Sequence, residues 1–424
     1  MERSWWSQNM LGEDLLKNAI SDGTYFSNPY PLFGEFRKSA PVFYSPTLGG
    51  WVVTRYSQVS EILHNHEDYS SKGRVLHLLS KLESDIQDRV PMLHRHFATG
   101  LAHSDAPEHK RLRGILAQAF TPKISENMRP ITHEVVTRIL NSMSGDVDLI
   151  SELFTPVPAL VVGRLLGSSE SDIPHLIRWA GAINGLYEKG GNIDPQKAIF
   201  AEEMLHEIRE FVIKLADERR SRSKGGDLDP TVDVLSGLVN AEIQNDSLSE
   251  SELVSTVVTL FVAGHETTTH LLGNGMLALL KQPELIALLQ KEPQLIPDAI
   301  DEMARFDGSV PRSWRLTKRR MDVGGVTIPQ GELVLPMLSS ANRDESIFEN
   351  PDRFDIHRDT RKHLAFGRGV HVCLGAPLAR IEGQEIIKEI LHRFPKIALK
   401  DSKVELSWRK DVALRGLISL PVKL

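Results

Sequence analysis

Cys373 is the single cysteine among 424 residues. It lies in the run Phe366-Gly367-Arg368-Gly369-Val370-His371-Val372-Cys373-Leu374-Gly375-Ala376. A lone cysteine is most often a small buried hydrophobe without chemistry. The neighbours here point elsewhere. Gly367, Gly369 and Gly375 allow backbone angles and close approaches that a side chain forbids. Such a loop can turn its amides toward one sulfur and let a flat group lie against it. Hydrogen bonds to a thiolate tune its charge and potential. One cysteine cannot build a Cys-rich zinc site, an iron–sulfur cluster or an internal disulfide. It can be the axial ligand of a haem.

A second group of reactive side chains lies in Ala263-Gly264-His265-Glu266-Thr267-Thr268. Ser249 followed by Glu252 is a capping-box pattern, and Gln282-Pro283 is a helix stop. The segment from Ser249 to about Lys281 therefore predicts one helix of about 32 residues, ~48 Å long. Val257, Val258, Leu260, Phe261, Val262 and Ala263 make it apolar nearly all round, so it should be buried. A carboxylate and a row of hydroxyls are costly there unless they are used. Taken alone, Thr267 would bond back to the carbonyl of Ala263, and Glu266 would be solvated or paired with a distant base.

The elements around these residues read as mainly α with small β-sheet elements. Pro41–Ser45 and Trp51–Thr54 predict a hairpin, followed by a short helix from Ser57 to Leu63. From about Asp105 to Leu272 the periodicity is helical. Asp322 to Leu338 is β-rich, broken at Gly324-Gly325 and Pro329-Gln330-Gly331, and a third β-rich stretch ends the chain. Glu218 to Asp227 reads as a solvated loop between helices. No linker or repeat divides residues 1–424, which predicts a single domain. A formal charge of −6 and ordinary composition give no nucleic-acid signature. No window approaches a membrane span, and the first residues lack a signal peptide's apolar core. A reducing, cytoplasmic setting fits the lone cysteine.

The cysteine loop resembles the haem-binding signature of cytochromes P450, Phe-Gly-x-Gly-x-His-x-Cys-x-Gly, with every fixed position present. The resemblance, to the soluble bacterial type, extends along most of the chain. It implies the P450 fold, haem b held through Cys373 as metal ligand, and a monooxygenase. Electrons would come from a separate ferredoxin or flavodoxin-type donor with its reductase, since the chain ends soon after the cysteine without a reductase segment. By the family's Ala-Gly-x-Asp/Glu-Thr motif, Glu266 and Thr267 become the catalytic acid–alcohol pair. They would deliver protons to dioxygen, with Ala263 facing the haem and Gly264 leaving room. Glu302-Met303-Ala304-Arg305 matches the structural Glu-x-x-Arg motif. Arg353 is the closer match for its third member and Arg358 the alternative. His109 and Arg113, Arg315 and His371 stand at positions implied for haem propionates, and Phe366 and Gly375 border the ring.

The same resemblance maps a substrate pocket onto apolar positions: Met92, Leu93 and Phe97, with Leu101, from a long irregular lid between Leu76 and Asp105; Val262; Val310 and Ser313; Val412 and Leu414. Gly308-Ser309 stands where a proline pair is usual, and Trp314 where a small residue is common. The implied substrate is a mid-sized hydrophobic molecule such as a terpenoid, steroid, fatty acid or macrocyclic polyketide. Lys110, Arg111, Arg361, Lys362 and Arg368 flank the motifs on the side where an acidic electron donor would dock. Two other readings share the fold: a peroxide-driven haem enzyme, and a binding or carrier-recruitment module without oxidative chemistry. The intact Glu266-Thr267 pair and Cys373 argue against both.

Overall fold

The computed structural model describes all residues except 1, 121, 188–191, 244–247, 402 and 404. Its organising element is the helix Glu250–Leu280. The expected capping box starts it: Ser249 Oγ accepts from the Glu252 amide at 3.3 Å, and Glu252 Oε2 accepts from the Ser249 amide at 2.8 Å. Lys281 caps its far end, ahead of Pro283. From Leu253 onward this helix is largely buried, as its all-round apolar surface requires.

Six helices carry the argument: α1 (Pro91–Thr99), α2 (Glu108–Ala119), α3 (Pro156–Leu166), α4 (Glu250–Leu280), α5 (Ile296–Asp307) and α6 (Ala376–Arg393). α4 packs against α1, α3 and α5, and α6 packs against α5 and the helix Pro122–Leu140. Pro377 at the start of α6 occupies a first-turn position, where its missing N–H costs no helical bond.

The described residues include ten short strands: β1 (Val42–Ser45), β2 (Gly50–Val53), β3 (Tyr69–Ser70), β4 (Asp146–Asp148), β5 (Arg315–Thr317), β6 (Met321–Val323), β7 (Val326–Ile328), β8 (Leu333–Pro336), β9 (Ala398–Leu399) and β10 (Pro421–Lys423). The main sheet runs β1-β2-β8-β5-β3. β2 and β8 are parallel with Trp51 opposite Val334, and β5 pairs antiparallel to β8 with Arg315 opposite Val334. The sheet thereby fixes Arg315 in register. The hairpin, the Ser57 helix (Tyr56–His64) and the breaks at Gly324-Gly325 and Gly331 lie where the sequence places them.

Three expectations are corrected. Glu218 to Lys224 is the last part of a helix, Pro195–Lys224, and only from Gly225 does the chain leave it. Buried Arg219 explains this, since its guanidinium reaches Asp233 at 2.9 Å and the Gly167 carbonyl at 2.8 Å. The stretch from Leu76 to Asp105 is not irregular. It contains the short helices Arg74–Leu79 and Ser84–Gln87, then α1. α1 is tied down by Glu202, whose carboxylate accepts the Met92 and Leu93 amides at 3.0 and 2.8 Å, and by Ser255 Oγ, which donates to the His96 carbonyl at 3.0 Å.

The third concerns the Glu302–Arg305 pair, whose side chains are wholly buried. A buried ion pair is stable only when its remaining donors and acceptors are met, and here they are. Arg305 makes a bidentate pair to Glu302 at 2.6 and 2.7 Å and donates to the carbonyls of Asn342, Pro351 and Arg353. Arg358, not Arg353, is the third side chain, with Nε 3.4 Å from Glu302 Oε1. Arg353 contributes only its backbone carbonyl. Arg358 also donates to the carbonyls of Glu349 and Asn350, so one guanidinium closes the loop on itself.

Candidate haem site

The cysteine loop is shaped by two left-handed glycines, Gly367 (φ 70°) and Gly369 (φ 76°). A β-carbon on Gly369 would lie 2.7 Å from the Leu63 carbonyl oxygen and 3.0 Å from His64 Cα, so the loop can seat against that helix only with glycine there. The Cys373 amide donates to the Phe366 carbonyl at 2.9 Å, closing the loop. Arg380 stacks over the Phe366 ring at 4.7 Å.

The Cys373 side chain is solvent-accessible although protein crowds it closely. Burial pushes its thiol up, opposed by the amides of Gly375 and Ala376 and by the charges of Arg113 and Arg380. Those amides open α6. Helix N-terminal amides and nearby cations favour a thiolate. A β-carbon on Gly375 would approach Cys373 Sγ at 4.0 Å.

Four basic residues from three separate elements converge beside the loop. His109 and Arg113 come from α2, Arg315 from β5 and His371 from the loop itself. The His109 and His371 rings lie 4.1 Å apart, and His109 Nε2 is buried without a hydrogen-bond partner. Burial, then Arg315 and His109, hold His371 down to about 3, and burial brings Arg315 down to about 10. His109 is lowered by burial and by Arg113. Asp105 is the acid that opposes these shifts, and its own carboxylate is engaged by Ser70, the Ser71 amide and Lys318. Arg113 and Arg315 are the fixed cations of this cluster, and an anion beside them would be stabilised. The two carboxylates of a haem would suit such a place. The sequence reading missed His103 and Arg74. His103 is held well below its usual value by burial, then by Arg74 and by neighbouring histidines that include His371. Arg74 is buried and lies over the Trp314 ring. No motif marks either residue. They reach the site only through packing.

In α4 the buried run is interrupted on one face. Ala263 is exposed and Val262, Gly264, Glu266 and Thr267 are half-buried, while Val258, Phe261, His265 and Thr268 are buried. Ala263 and Thr267, four apart, share that face, which is open along a helix otherwise packed in the interior. Thr267 Oγ1 donates to the Ala263 carbonyl, the back-bond its sequence allows. The hydroxyl oxygen therefore keeps its acceptor lone pairs for a ligand. Gly264 has a further use: a β-carbon there would meet Val162 Cγ2 at 2.9 Å, so the space it leaves is filled by α3.

The proposed pocket residues divide. Val262, Met92, Val310 and Ser313 are partly exposed. Leu93, Phe97, Val412 and Leu414 are buried among protein side chains. Met92, Leu93, Leu101, Phe97 and Val262 belong to one apolar cluster, Val310 borders a second, and Val412 belongs to a third with Tyr25, Tyr30 and Phe33.

This fold and the motifs around the site point to one class of protein, and the comparisons name it. The cytochrome P450 family pattern matches residues 194–421. Cytochrome P450 107B1 of Saccharopolyspora erythraea is 36% identical over 379 residues, covering 89% of each chain. The 6-deoxyerythronolide B hydroxylase of the same organism is 33% identical over 401 residues, covering 93% of this chain and 96% of that one. Among solved structures, P450BioI in complex with hexadec-9Z-enoic acid-ligated acyl carrier protein superposes with a TM-score of 0.83 at 31% identity, covering 95% of this chain and 100% of that chain. CYP109E1 from Bacillus megaterium with testosterone gives 0.80 at 28%, covering 94% and 98%. The chain belongs to the cytochrome P450 family and is a haem-iron monooxygenase of that family. No helix among the described residues is long and apolar enough to cross a membrane.

Proposed function

We propose that the chain inserts one oxygen atom from dioxygen into a mid-sized hydrophobic substrate, using haem b ligated by Cys373 and electrons from a separate protein. The observation that carries this is the accessible Cys373 side chain, with the Gly375 and Ala376 amides beside its sulfur and four basic groups alongside. His109, Arg113, Arg315 and His371 would hold the propionates, with Phe366 and Gly375 against the ring and Ala263 on its other face. When bound, haem supplies the iron at which dioxygen is reduced and oxygen is passed to substrate. Cys373 would hold that iron as a thiolate, stabilised by the α6 amides, and would supply it with electron density. Thr267 Oγ1, with its lone pairs open on the Ala263 face, would accept a hydrogen bond from a proton donor there, and the Glu266 carboxylate would hand protons inward. A relay through these groups would deliver protons without open water at the reacting atoms.

The relatives include a 6-deoxyerythronolide B hydroxylase and P450s in complex with testosterone and with hexadec-9Z-enoic acid-ligated acyl carrier protein. Their range supports an apolar substrate bound mainly by burial. The donor side carries Lys110, Lys362 and Arg368, exposed and without a carboxylate partner among the described residues, next to exposed Val370 and Val372. Arg111 and Arg361 are neutralised by Glu252 and Asp359, which leaves a smaller basic patch than the sequence suggests. An acidic ferredoxin or flavodoxin docking there should reduce the protein more slowly as salt rises. A lone cysteine and a reduced donor fit the cytoplasm.

The reduced, carbon monoxide-bound protein should show the strongly red-shifted band of thiolate ligation. Cys373→His should move it to the imidazole type. An imidazole-type spectrum in the folded, unmodified protein refutes the assignment.

A further inference from the structure

Eight arginines are buried among the described residues, and nearly all have an evident reason to be there. Arg37, Arg219, Arg305, Arg343 and Arg415 each face a carboxylate, at 2.9, 2.9, 2.6, 2.8 and 2.6 Å. Arg74 lies over Trp314. Arg315 donates to Ser313 Oγ and the Trp314 carbonyl and belongs to the propionate group. Arg312 has no such account. It is 6% exposed, donates no hydrogen bond to a described residue, and its Nη1 is fully enclosed without an acceptor. A guanidinium carries five N–H donors. Enclosing part of one without an acceptor is costly.

A second orphan lies in the same place. Tyr25, in the short helix Thr24–Ser27, is 4% exposed, and its hydroxyl has no hydrogen-bond partner. The charges acting on Arg312 are those of Tyr25 and Asp411, and Arg312 is the foremost charge acting on Tyr25. Asp411 does not form an ion pair with Arg312. Its Oδ1 accepts the Ala413 amide at 2.7 Å and its Oδ2 lies 3.6 Å from Arg409. Arg415 ties Tyr25's own helix to this part of the fold, since its guanidinium donates to the Phe26 and Ser27 carbonyls.

That place adjoins the substrate region. Arg312 sits between Val310 and Ser313, and the turn carrying Asp411, Val412 and Leu414 is fastened to the same segment by the Arg415 amide, which donates to the Ser309 carbonyl at 2.8 Å. Two buried donors without acceptors therefore stand beside Val310, Ser313, Val412 and Leu414, the mostly apolar positions proposed above for substrate. We propose that Arg312 and Tyr25 bind the carboxylate of an acidic substrate, whose hydrocarbon body runs from them toward Ala263 and Cys373. This rests on the monooxygenase reading above and narrows its substrate class from apolar molecules to amphipathic carboxylic acids. Anchoring one end at a fixed point would also select which carbon lies near the reaction centre.

The test uses the haem-loaded protein and reads binding from the substrate-induced change in the haem spectrum. Three acids of different skeleton are each compared with their methyl esters: tetradecanoic acid, a steroid carboxylic acid and an aryl-alkanoic acid. At least one acid should bind tenfold or more tighter than its ester, which is about 1.4 kcal/mol. Arg312→Gln should bring that acid to within about twofold of its ester without weakening the ester, and Tyr25→Phe should lose part of the preference. Equal binding of acid and ester in all three pairs of the unmodified protein overturns the inference, whether or not any variant folds. So does an acid preference that survives Arg312→Gln, or faster haem loss in that variant, which would assign the cation to a propionate. An intact thiolate carbon monoxide band alongside equal binding sinks this inference alone. Loss of that band in the unmodified protein sinks the monooxygenase reading itself.

Discussion

Alanine at Gly369 and at Gly367 should have different consequences, although both glycines lie in the same loop with nearly the same φ. Either substitution places an L side chain in the left-handed region, at a cost of ~1–2 kcal/mol. At Gly367 nothing comes nearer than the His371 carbonyl oxygen at 3.7 Å, an ordinary contact, so that cost is the whole effect. At Gly369 the new β-carbon sits 2.7 Å from the Leu63 carbonyl and 3.0 Å from His64 Cα. Both are backbone atoms at the end of the helix Tyr56–His64 and cannot move singly. Overpacking of this kind adds ~1–3 kcal/mol. The loop relieves the clash by swinging away from the helix, and Cys373 moves with it. The added cost then falls on haem binding, as ~5- to 150-fold weaker retention relative to Gly367→Ala. The assay is the rate of haem transfer to an excess of acceptor protein, with the carbon monoxide band recorded before transfer. If Gly369→Ala keeps its haem as long as Gly367→Ala does, the helix contact does not hold the loop.

Arg358→Ala should destabilise the protein by ~1–3 kcal/mol, because it leaves Glu302 and two carbonyls short of a donor, whereas Arg353→Ala should stay within ~0.5 kcal/mol; thermal melts of both variants decide between them. Thr267→Ala should retain the carbon monoxide band and substrate binding but send electrons to hydrogen peroxide, and Glu266→Gln should slow turnover ~10²-fold; product-to-peroxide ratios check this, and unchanged coupling in Thr267→Ala would transfer the role to Thr268. Burial holds His96 and His265 down to about 4 and His270 down to about 3, so each takes up a proton on unfolding below its ordinary value near 6.5. Their contribution to stability is complete above about pH 6.5 and is lost as pH falls toward the folded values, at up to ~1.4 kcal/mol per pH unit for each histidine; His270→Asn should flatten the melting-temperature profile between pH 6 and 4 by one proton's worth.

Local sequence was enough wherever the determining interactions lie close along the chain. The span of α4 could be read because its cap, its apolar body and its proline stop are all within it. The cysteine loop could be read because three glycines and one sulfur lie within nine residues of one another. Glu302 and Arg305 could be paired because three residues along a helix bring side chains together. The family followed from those runs.

Tertiary structure decided what depends on groups far apart in the chain. Arg358 completes the Glu302 network because the backbone from Glu349 to Asp355 wraps around it, which a local match at Arg353 could not reveal. Glu218 to Lys224 stays helical because Arg219 finds Asp233 and Gly167 across the fold, so a run of charges conceals a buried residue. The segment after Leu76 is helical because α1 packs on α4 and hangs from Glu202. Arg315 faces the site because β5 pairs with β8 in one register, and a slip of one residue would turn it to the other side. Arg312 and Tyr25, 287 positions apart, become neighbours only through packing. Sequence supplies the charge of each group, but whether that charge is buried, and whether anything meets it, is decided by the other elements that close around it.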